Sequence, residues 1–201
     1  MINEDITKIT LDYYNQKAKD FTQSTQTVDF SDFQNEFVKY LPKNATIIDL
    51  GCGAGRDSKA FIGAGYNVIA IDGSTELCKI ASDFIGQQVI CSTFQEYEPN
   101  ENVDGIWACA SLLHLSTDDV VSIMNKLSNH LNKGGCFYVS FKYGDFAGLR
   151  NGRYFQNMTE DLFNTLMQQI PSLKIISTKI TGDIREGREN EKWLNVFLER
   201  I

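Results

Sequence analysis

The sequence predicts an α/β fold: a mostly parallel sheet with helices on both faces, closed by an antiparallel hairpin. Three observations carry that expectation. Short β-branched and apolar runs alternate with helical periodicity between residues 44 and 141, the pattern of a parallel sheet wound with helices. A glycine turn, Gly51-Cys52-Gly53-Ala54-Gly55, directly follows the first of those runs. Two strand-like runs near the end, residues 173–181 and 192–199, have no helix between them, so they must pair as a hairpin.

The elements follow in order. The first 40 residues read as helical, with Ile6, Ile9, Tyr13 and Tyr14 on one face and Phe30, Phe33, Phe37 and Tyr40 on another. A polar loop, residues 22–27, separates them. Residues 45–50 are a buried strand entered after Pro42-Lys43-Asn44. A helix runs from Arg56 to about Ala64 and stops at Gly65. Residues 66–71 form the second strand, ending in Asp72-Gly73. Ser74 suits the N-cap of a helix to about Ile85, with Leu77, Ile80, Ala81 and Phe84 inward. Residues 88–91 and 103–110 are the third and fourth strands, the latter apolar enough to be central. Ser116-Thr117-Asp118-Asp119 caps a helix that buries Val120, Ile123, Met124, Leu127 and Leu131 and ends at Lys133-Gly134-Gly135. Residues 136–141 are the fifth strand, and 159–169 the last helix, with Leu162, Phe163, Leu166 and Met167 inward.

Composition narrows the classes. The chain has 201 residues, enough for one domain with a sizeable core. Its three prolines fall between periodic segments, and no repeat or linker interrupts the pattern. The five cysteines are scattered and odd in number, without a C-x-x-C pair. They read as reduced core residues of a cytoplasmic protein, with no metal expected. The start of the chain lacks the basic and apolar blocks of a secretory signal, and no run suits a transmembrane helix. The net charge of −7 argues against a large nucleic-acid footprint, and nothing supports a membrane-surface role.

The acid before the glycines separates two nucleotide readings. A dinucleotide fold uses G-x-G-x-x-G/A to set a pyrophosphate on a helix N-terminus. Here Gly55 comes one residue early, Arg56 stands where a small residue is wanted, and Asp49 would face a phosphate. A carboxylate there suits a cationic ligand group. The series Asp49-Leu50-Gly51-Cys52-Gly53-Ala54-Gly55, with Asp72 ending the next apolar run, resembles the class I S-adenosylmethionine-dependent methyltransferases. The terminal hairpin matches that family too. The resemblance covers roughly residues 30–200 and implies a Rossmann-like methyltransferase fold: a seven-stranded, mostly parallel sheet with an antiparallel C-terminal hairpin strand. It also implies one methyltransferase domain over residues 1–201, with 1–43 a helical lid and 44–201 the core.

By the resemblance, Gly51, Cys52 and Gly53 line the methionine part of S-adenosylmethionine, and Asp49 faces its amino group. Asp72 takes both ribose hydroxyls beside Gly73; its plainer role is to cap the following helix. Ser92-Thr93-Phe94 stands where many relatives carry an acid on the adenine amino group, so Thr93 or the backbone at Phe94 is expected there, with Phe94 equally suited to the core. The resemblance places the loop after the fourth strand beside the reactive methyl, and Ala108, Cys109 and Ala110 are small enough to let their backbone lie against the cofactor. His114 is placed to act as a base and titrates near neutrality; its plainer role is to hydrogen-bond backbone and fix the loop. Tyr14-Asn15-Gln16-Lys17-Ala18-Lys19-Asp20-Phe21 matches the family's lid pattern, with one tyrosine toward the cofactor and its neighbour toward core or solvent. The glycine-punctuated segment 140–154 is the expected substrate loop. Tyr13, Lys142, Arg150, Arg153 and Arg185, with Arg188, are the candidate acceptor site, a cationic pocket for a carboxylate or phosphate. Surface ion pairs with Asp145 and Glu186 are the rival reading of these cations.

The implied activity is methyl transfer to a small-molecule acceptor, an anionic one under the cationic-pocket reading, giving S-adenosylhomocysteine. A tRNA or other RNA acceptor, a non-catalytic S-adenosylmethionine-binding protein and a nicotinamide oxidoreductase are the rivals. The acceptor atom and the oligomeric state are left open.

Overall fold

The computed structural model describes residues 2–185 and 187–201, with burial assigned from residue 6 onward. Two helices, α1 (Ile2–Thr25) and α2 (Ser31–Val38), precede the sheet. There follow β1 (Thr46–Leu50), α3 (Arg56–Gly63), β2 (Asn67–Asp72), α4 (Thr75–Ile85), β3 (Ile90–Cys91) and β4 (Val103–Ala108). A 3₁₀ turn (Leu112–His114) leads to α5 (Thr117–Ser128) and β5 (Leu131–Lys142). The rest is β6 (Ala147–Arg150), β7 (Arg153–Gln156), α6 (Glu160–Met167), β8 (Leu173–Gly182) and β9 (Lys192–Arg200). Among the described residues the main sheet has seven strands in the order β3-β2-β1-β4-β5-β9-β8. Only β9 runs against its neighbours, β5 and β8, as the missing helix between the last two runs requires.

Residues that alternate along each strand feed two cores. Ile48, Ile106 and Phe137 face one side, under α5 and α6. Ile47, Trp107 and Tyr138 face the other, with Phe37 of α2 and Phe61 of α3. Trp107 and Tyr138 stack with ring centroids 4.0 Å apart, and Phe37 meets the Trp107 ring edge-on at 5.0 Å. Gly105 makes that approach possible. A Cβ on it would lie 2.8 Å from the Phe37 ring and 3.0 Å from Leu41.

The order of strands places the ligand end. β1 and β4 are neighbours, but the chain leaves β1 toward β2 on one side and crosses back to β4 on the other. In such a sheet the crevice lies beyond the carboxyl ends of the strands, at this reversal. The glycine turn, Asp72-Gly73 and the segment after Ala108 all meet there.

Several boundaries differ from the sequence reading. α1 continues to Thr25 through the expected polar loop, with the Thr22 and Thr25 hydroxyls turned inward onto the carbonyls of Ala18 and Phe21 at 2.7 Å each. Its sheltered stripe is Thr10, Tyr14, Ala18 and Phe21, while Ile9 is exposed. α4 is likewise turned: Leu77, Cys78, Ala81 and Ile85 are the buried set. Leu162 of α6 faces out. α5 stops at Ser128, and Leu131 already pairs with Val103 in the sheet. The segment after Phe141, expected as a loop, contains the β6–β7 hairpin. Its turn is Asn151-Gly152, with φ of 52° and 76°, the left-handed pair that such a two-residue hairpin demands.

The packing at Gly105 generates a test. Gly105→Val should destabilise the protein by about 1–3 kcal/mol, the cost of overpacking a filled core. The urea midpoint measures it, and an unchanged midpoint would mean that α2 docks elsewhere.

Candidate active site

The strand ends and α1 enclose a cavity of about 660 Å³, within the range of small-molecule and cofactor sites. Its inner end is the glycine turn. Asp72 is 9% exposed and ends β2, next to the glycine turn that follows β1. One carboxylate oxygen accepts the Gly53 amide at 2.9 Å, and the other accepts the Ser74 amide at 2.8 Å. Asp72 thus holds the amide of Ser74, while the cap of α4 is Ser74 itself, whose hydroxyl accepts the Leu77 amide. A carboxylate offers about four acceptor positions, so two amides leave room for further donors from the cavity. Burial pushes the Asp72 carboxyl up, opposed by those amide bonds.

Each glycine of the turn has a different reason. At Gly51, with φ of 81°, a Cβ would lie 2.5 Å from that of Ser111. At Gly53 it would meet the Phe21 ring of α1 at 3.0 Å. The close approach is thus made partly by the chain itself, with α1 lying over the turn. Asn15 of α1 accepts from the Ser74 hydroxyl at 2.7 Å and from the Glu76 amide at 3.3 Å. It helps cap α4 from outside, satisfying donors that a helix start leaves free. Gln26 donates to the Ala54 carbonyl at 3.0 Å.

Below the turn lies a buried acid pair. Asp49 accepts the Ser58 hydroxyl at 2.5 Å. Burial, and then the charge of Asp57, push its carboxyl well up. Burial alone would also raise Asp57, but Arg56, Trp107 and Gln34 overcome it and hold Asp57 low. Arg56 binds both Asp57 oxygens at 2.8 Å. Trp107 Nε1 donates to one at 2.9 Å and Gln34 to the other at 2.7 Å. Arg56 and Asp57 line the cavity. Neither was singled out as a ligand contact, because the donors satisfying Asp57 lie up to 50 residues away along the chain.

The segment after β4 carries strain. Ala110 sits at φ 52°, where a non-glycine residue costs of order 1 kcal/mol. The Ser140 hydroxyl accepts its amide at 2.8 Å and holds it there. His114 is 8% exposed, in the following 3₁₀ turn. Its Nδ1 lies 2.6 Å from the Tyr154 carbonyl. A carbonyl only accepts, so Nδ1 carries the proton. Nε2 then accepts from the Tyr14 hydroxyl at 2.8 Å, and Arg153 donates to that same hydroxyl at 3.1 Å. Burial pushes His114 down to about 4. Its one free lone pair is occupied and its basicity is low, so this arrangement favours the tying role over that of a free base. It joins α1, the 3₁₀ turn and the β6–β7 hairpin.

The outer end of the cavity is cationic and aromatic. Lys142, Arg150, Arg153, Arg185 and Arg188 all line it. The Arg153 guanidinium lies 4.4 Å from the Tyr13 ring centre and 5.0 Å from that of Phe155. Arg150 lies 4.8 Å from Phe155. Arg185 is held by Asp183. Among the described residues, the buried side-chain polar atoms without a partner are Ser111 Oγ, Arg153 Nε and Asn157 Oδ1. All three residues lie on the cavity wall. Buried polar atoms are normally satisfied, so a wall that collects the exceptions is built for a ligand.

Every residue named from the sequence as a site residue lies on this wall except Asp49 and Tyr13. Asp49 is under the turn on Ser58, and Tyr13 backs Arg153 from behind. The Thr93 hydroxyl is committed to Glu96 at 2.8 Å, and the Phe94 ring packs over Gly51. The ion-pair reading of Glu186 lies outside the described residues.

Residues 47–135 match the family model described as a methyltransferase domain. No curated protein matches the chain in sequence. Among solved structures, 1,6-didemethyltoxoflavin-N1-methyltransferase from Burkholderia thailandensis, with 1,6-didemethyltoxoflavin and S-adenosylhomocysteine bound, superposes with a TM-score of 0.78 at 16% identity, over 98% of this chain and 90% of that one. Magnesium protoporphyrin IX methyltransferase from Synechocystis, with S-adenosylhomocysteine bound, gives 0.73 at 16% identity, over 97% and 100%. A third structure, at 0.67 and 14% identity over 84% and 80%, is the [4+2]-cyclase SpnF. The shared fold is the Rossmann-like methyltransferase fold; the cyclase shows that the fold alone does not dictate the reaction.

The neutral His114 generates a pH prediction. Its folded value, about 4, lies below the ordinary value near 6.5. Between these pH values the unfolded chain binds a proton that the folded chain does not, so this group's contribution falls as pH drops. The stability advantage of the native protein over His114→Gln should shrink by about 2 kcal/mol between pH 7 and pH 5. Urea titrations at both pH values test it; a constant advantage would mean that His114 is not buried neutral.

Proposed function

We propose, from the match of residues 47–135 to the methyltransferase-domain family model and from the class I methyltransferase fold of the chain, that this protein methylates a small-molecule acceptor with S-adenosylmethionine. The observation that carries the reading is Asp72. It is a buried carboxylate that fixes the glycine turn, lines the cavity and keeps acceptor positions free. Those positions suit the two ribose hydroxyls. The glycine turn suits the methionine part, with Arg56, the cation at that end of the wall, beside its carboxylate. Asp49 acts one layer down, through Ser58. Bound there, S-adenosylmethionine supplies a sulfonium-activated methyl group, open to in-line displacement by an acceptor lone pair.

The chain's own contribution is position and exclusion of water. α1 covers the turn, and Tyr14 is locked by His114 and Arg153. Because His114 holds its lone pair toward Tyr14, the acceptor is one whose attacking atom needs little help in losing a proton. Lys142, Arg150, Arg153 and Arg185 give the acceptor end a positive field, and we read the acceptor as anionic. The orphan Arg153 Nε and Asn157 Oδ1 add one donor and one acceptor for it. The net charge of −7 disfavours an RNA acceptor. Residues 1–43 serve as the lid and 44–201 as the core. All five cysteines are free, and no helix among the described residues is long and apolar enough to cross a membrane. A cytoplasmic location fits the free cysteines.

Two outcomes test this. Asp72→Ala should weaken S-adenosylhomocysteine binding by about 2–4 kcal/mol, the worth of charge-assisted contacts to two hydroxyls; an unchanged dissociation constant would remove Asp72 from the cofactor site. Incubated with methyl-labelled S-adenosylmethionine and a panel of small acceptors, the protein should label carboxylates or phosphates in preference to their neutral esters. Equal labelling of both would refute the anionic reading.

A further inference from the structure

The outer wall brings six cations, Lys142, Arg150, Arg153, Arg185, Arg188 and Lys192, against two carboxylates among the described residues, Asp183 and Glu191. The two acids are held very differently. The Asp183 side chain is 2% exposed. It takes Arg185 through both oxygens, at 2.9 and 2.5 Å, and the Trp193 indole at 3.0 Å. Burial would raise it, but those donors win and hold it at about 2. It is a fixed part of the wall.

Glu191 is not. Its side chain is 38% exposed, and one oxygen reaches Lys142 while the other stays 3.8 Å from Arg188. Its backbone is anchored separately, with its carbonyl accepting from the Asp183 amide at 2.8 Å. The side chain can therefore swing to solvent without disturbing the strand. Lys142 has no such freedom. Its side chain is 13% exposed, and its ammonium lies 5.3 Å from the Trp193 ring and 5.9 Å from that of Phe155. The sheet fixes this position, since Lys142 pairs directly with Trp193 in the β5–β9 register. Burial and the charges of Arg150, Arg185 and Arg188 push Lys142 down to about 8. A buried ammonium among three guanidiniums is costly, and a carboxylate beside it offsets that cost and keeps it charged.

We propose that Glu191 is a built-in stand-in for the acceptor's oxyanion: it neutralises Lys142 in the empty site and is displaced when a carboxylate or phosphate on the acceptor takes its place. Glu191 then sets specificity. A neutral acceptor cannot replace it on Lys142, and an oxyanion must compete with it. This inference rests on the methyltransferase reading only for the identity of the acceptor end.

The test uses the full chain saturated with S-adenosylhomocysteine. Benzoate and phenyl phosphate are the oxyanion probes, benzamide is the neutral control, and Trp193 fluorescence and calorimetry are the readouts. Glu191→Gln should bind at least one oxyanion probe about tenfold tighter than the native protein, the scale of one charge-assisted hydrogen bond. Benzamide and S-adenosylhomocysteine affinities should not change. Which probe gains more distinguishes a carboxylate from a phosphate site. In Lys142→Met the gain from Glu191→Gln should vanish. Glu191→Ala serves as the second variant and should behave as Glu191→Gln does. Equal or weaker oxyanion binding by both Glu191 variants, no oxyanion binding by any form, or a gain that survives Lys142→Met would overturn the proposal. Failure of the native protein to bind S-adenosylhomocysteine would instead strike the cofactor reading, and the oxyanion comparison would still be read without it.

Discussion

Asp72 ties together the parts on which the cavity depends. Its two oxygens bridge the glycine turn after β1 and the start of α4 after β2. Removing that bridge would free two amides at once and leave the turn tied to β2 only through the Gly51 and Cys52 amides on the Ile71 carbonyl. A buried carboxylate is costly unless hydrogen-bonded, and here the bonds come from backbone that a ligand would also contact. The same group thus stabilises the floor of the site and presents acceptor positions to what lies on it. The open α/β sheet supplies the place, because β1 and β4 part at the strand ends.

The walls are assembled from distant segments by a second set of polar ties. Tyr14 of the lid, His114 after β4 and Arg153 of the hairpin meet in one chain of hydrogen bonds, which the Tyr154 carbonyl completes. Three elements that differ in sequence by up to 139 positions are thereby held at fixed separation. The cost is a histidine whose lone pair is spent. That trade explains why the site looks like one for positioning rather than for proton abstraction. It also makes the acceptor end legible as a separate problem: a cationic, aromatic wall whose charges are neutralised in part by buried Asp183 and in part by the more exposed Glu191.

Much of the fold was legible because local signals agreed with it. Alternating strand and helix, Ser74 and Ser116 as caps, and the helix-free C-terminal pair each specify structure within a few residues. The β6–β7 hairpin was equally signalled by Asn151-Gly152, but the glycines on either side made the segment read as a loop. The inward faces of α1 and α4 were misjudged where small and polar residues, Thr10 and Cys78, are buried instead of Ile9 and Ile80. The cavity wall was largely legible from motif positions. Its wiring was not. The partners of Asp57, His114 and Lys142 are set by strand register and by the lid, neither of which leaves a mark in neighbouring residues. Asp49 is the instructive case: its place at the strand end was foreseen, yet Ser58 of the next helix draws its carboxylate away from the wall.

The central claim is that this cavity is shaped for S-adenosylmethionine rather than for a dinucleotide. Isothermal titration of the native protein with S-adenosylhomocysteine, with NAD as the control ligand, tests it most directly. The account predicts micromolar binding of S-adenosylhomocysteine and none of NAD. Binding of NAD without S-adenosylhomocysteine would contradict it.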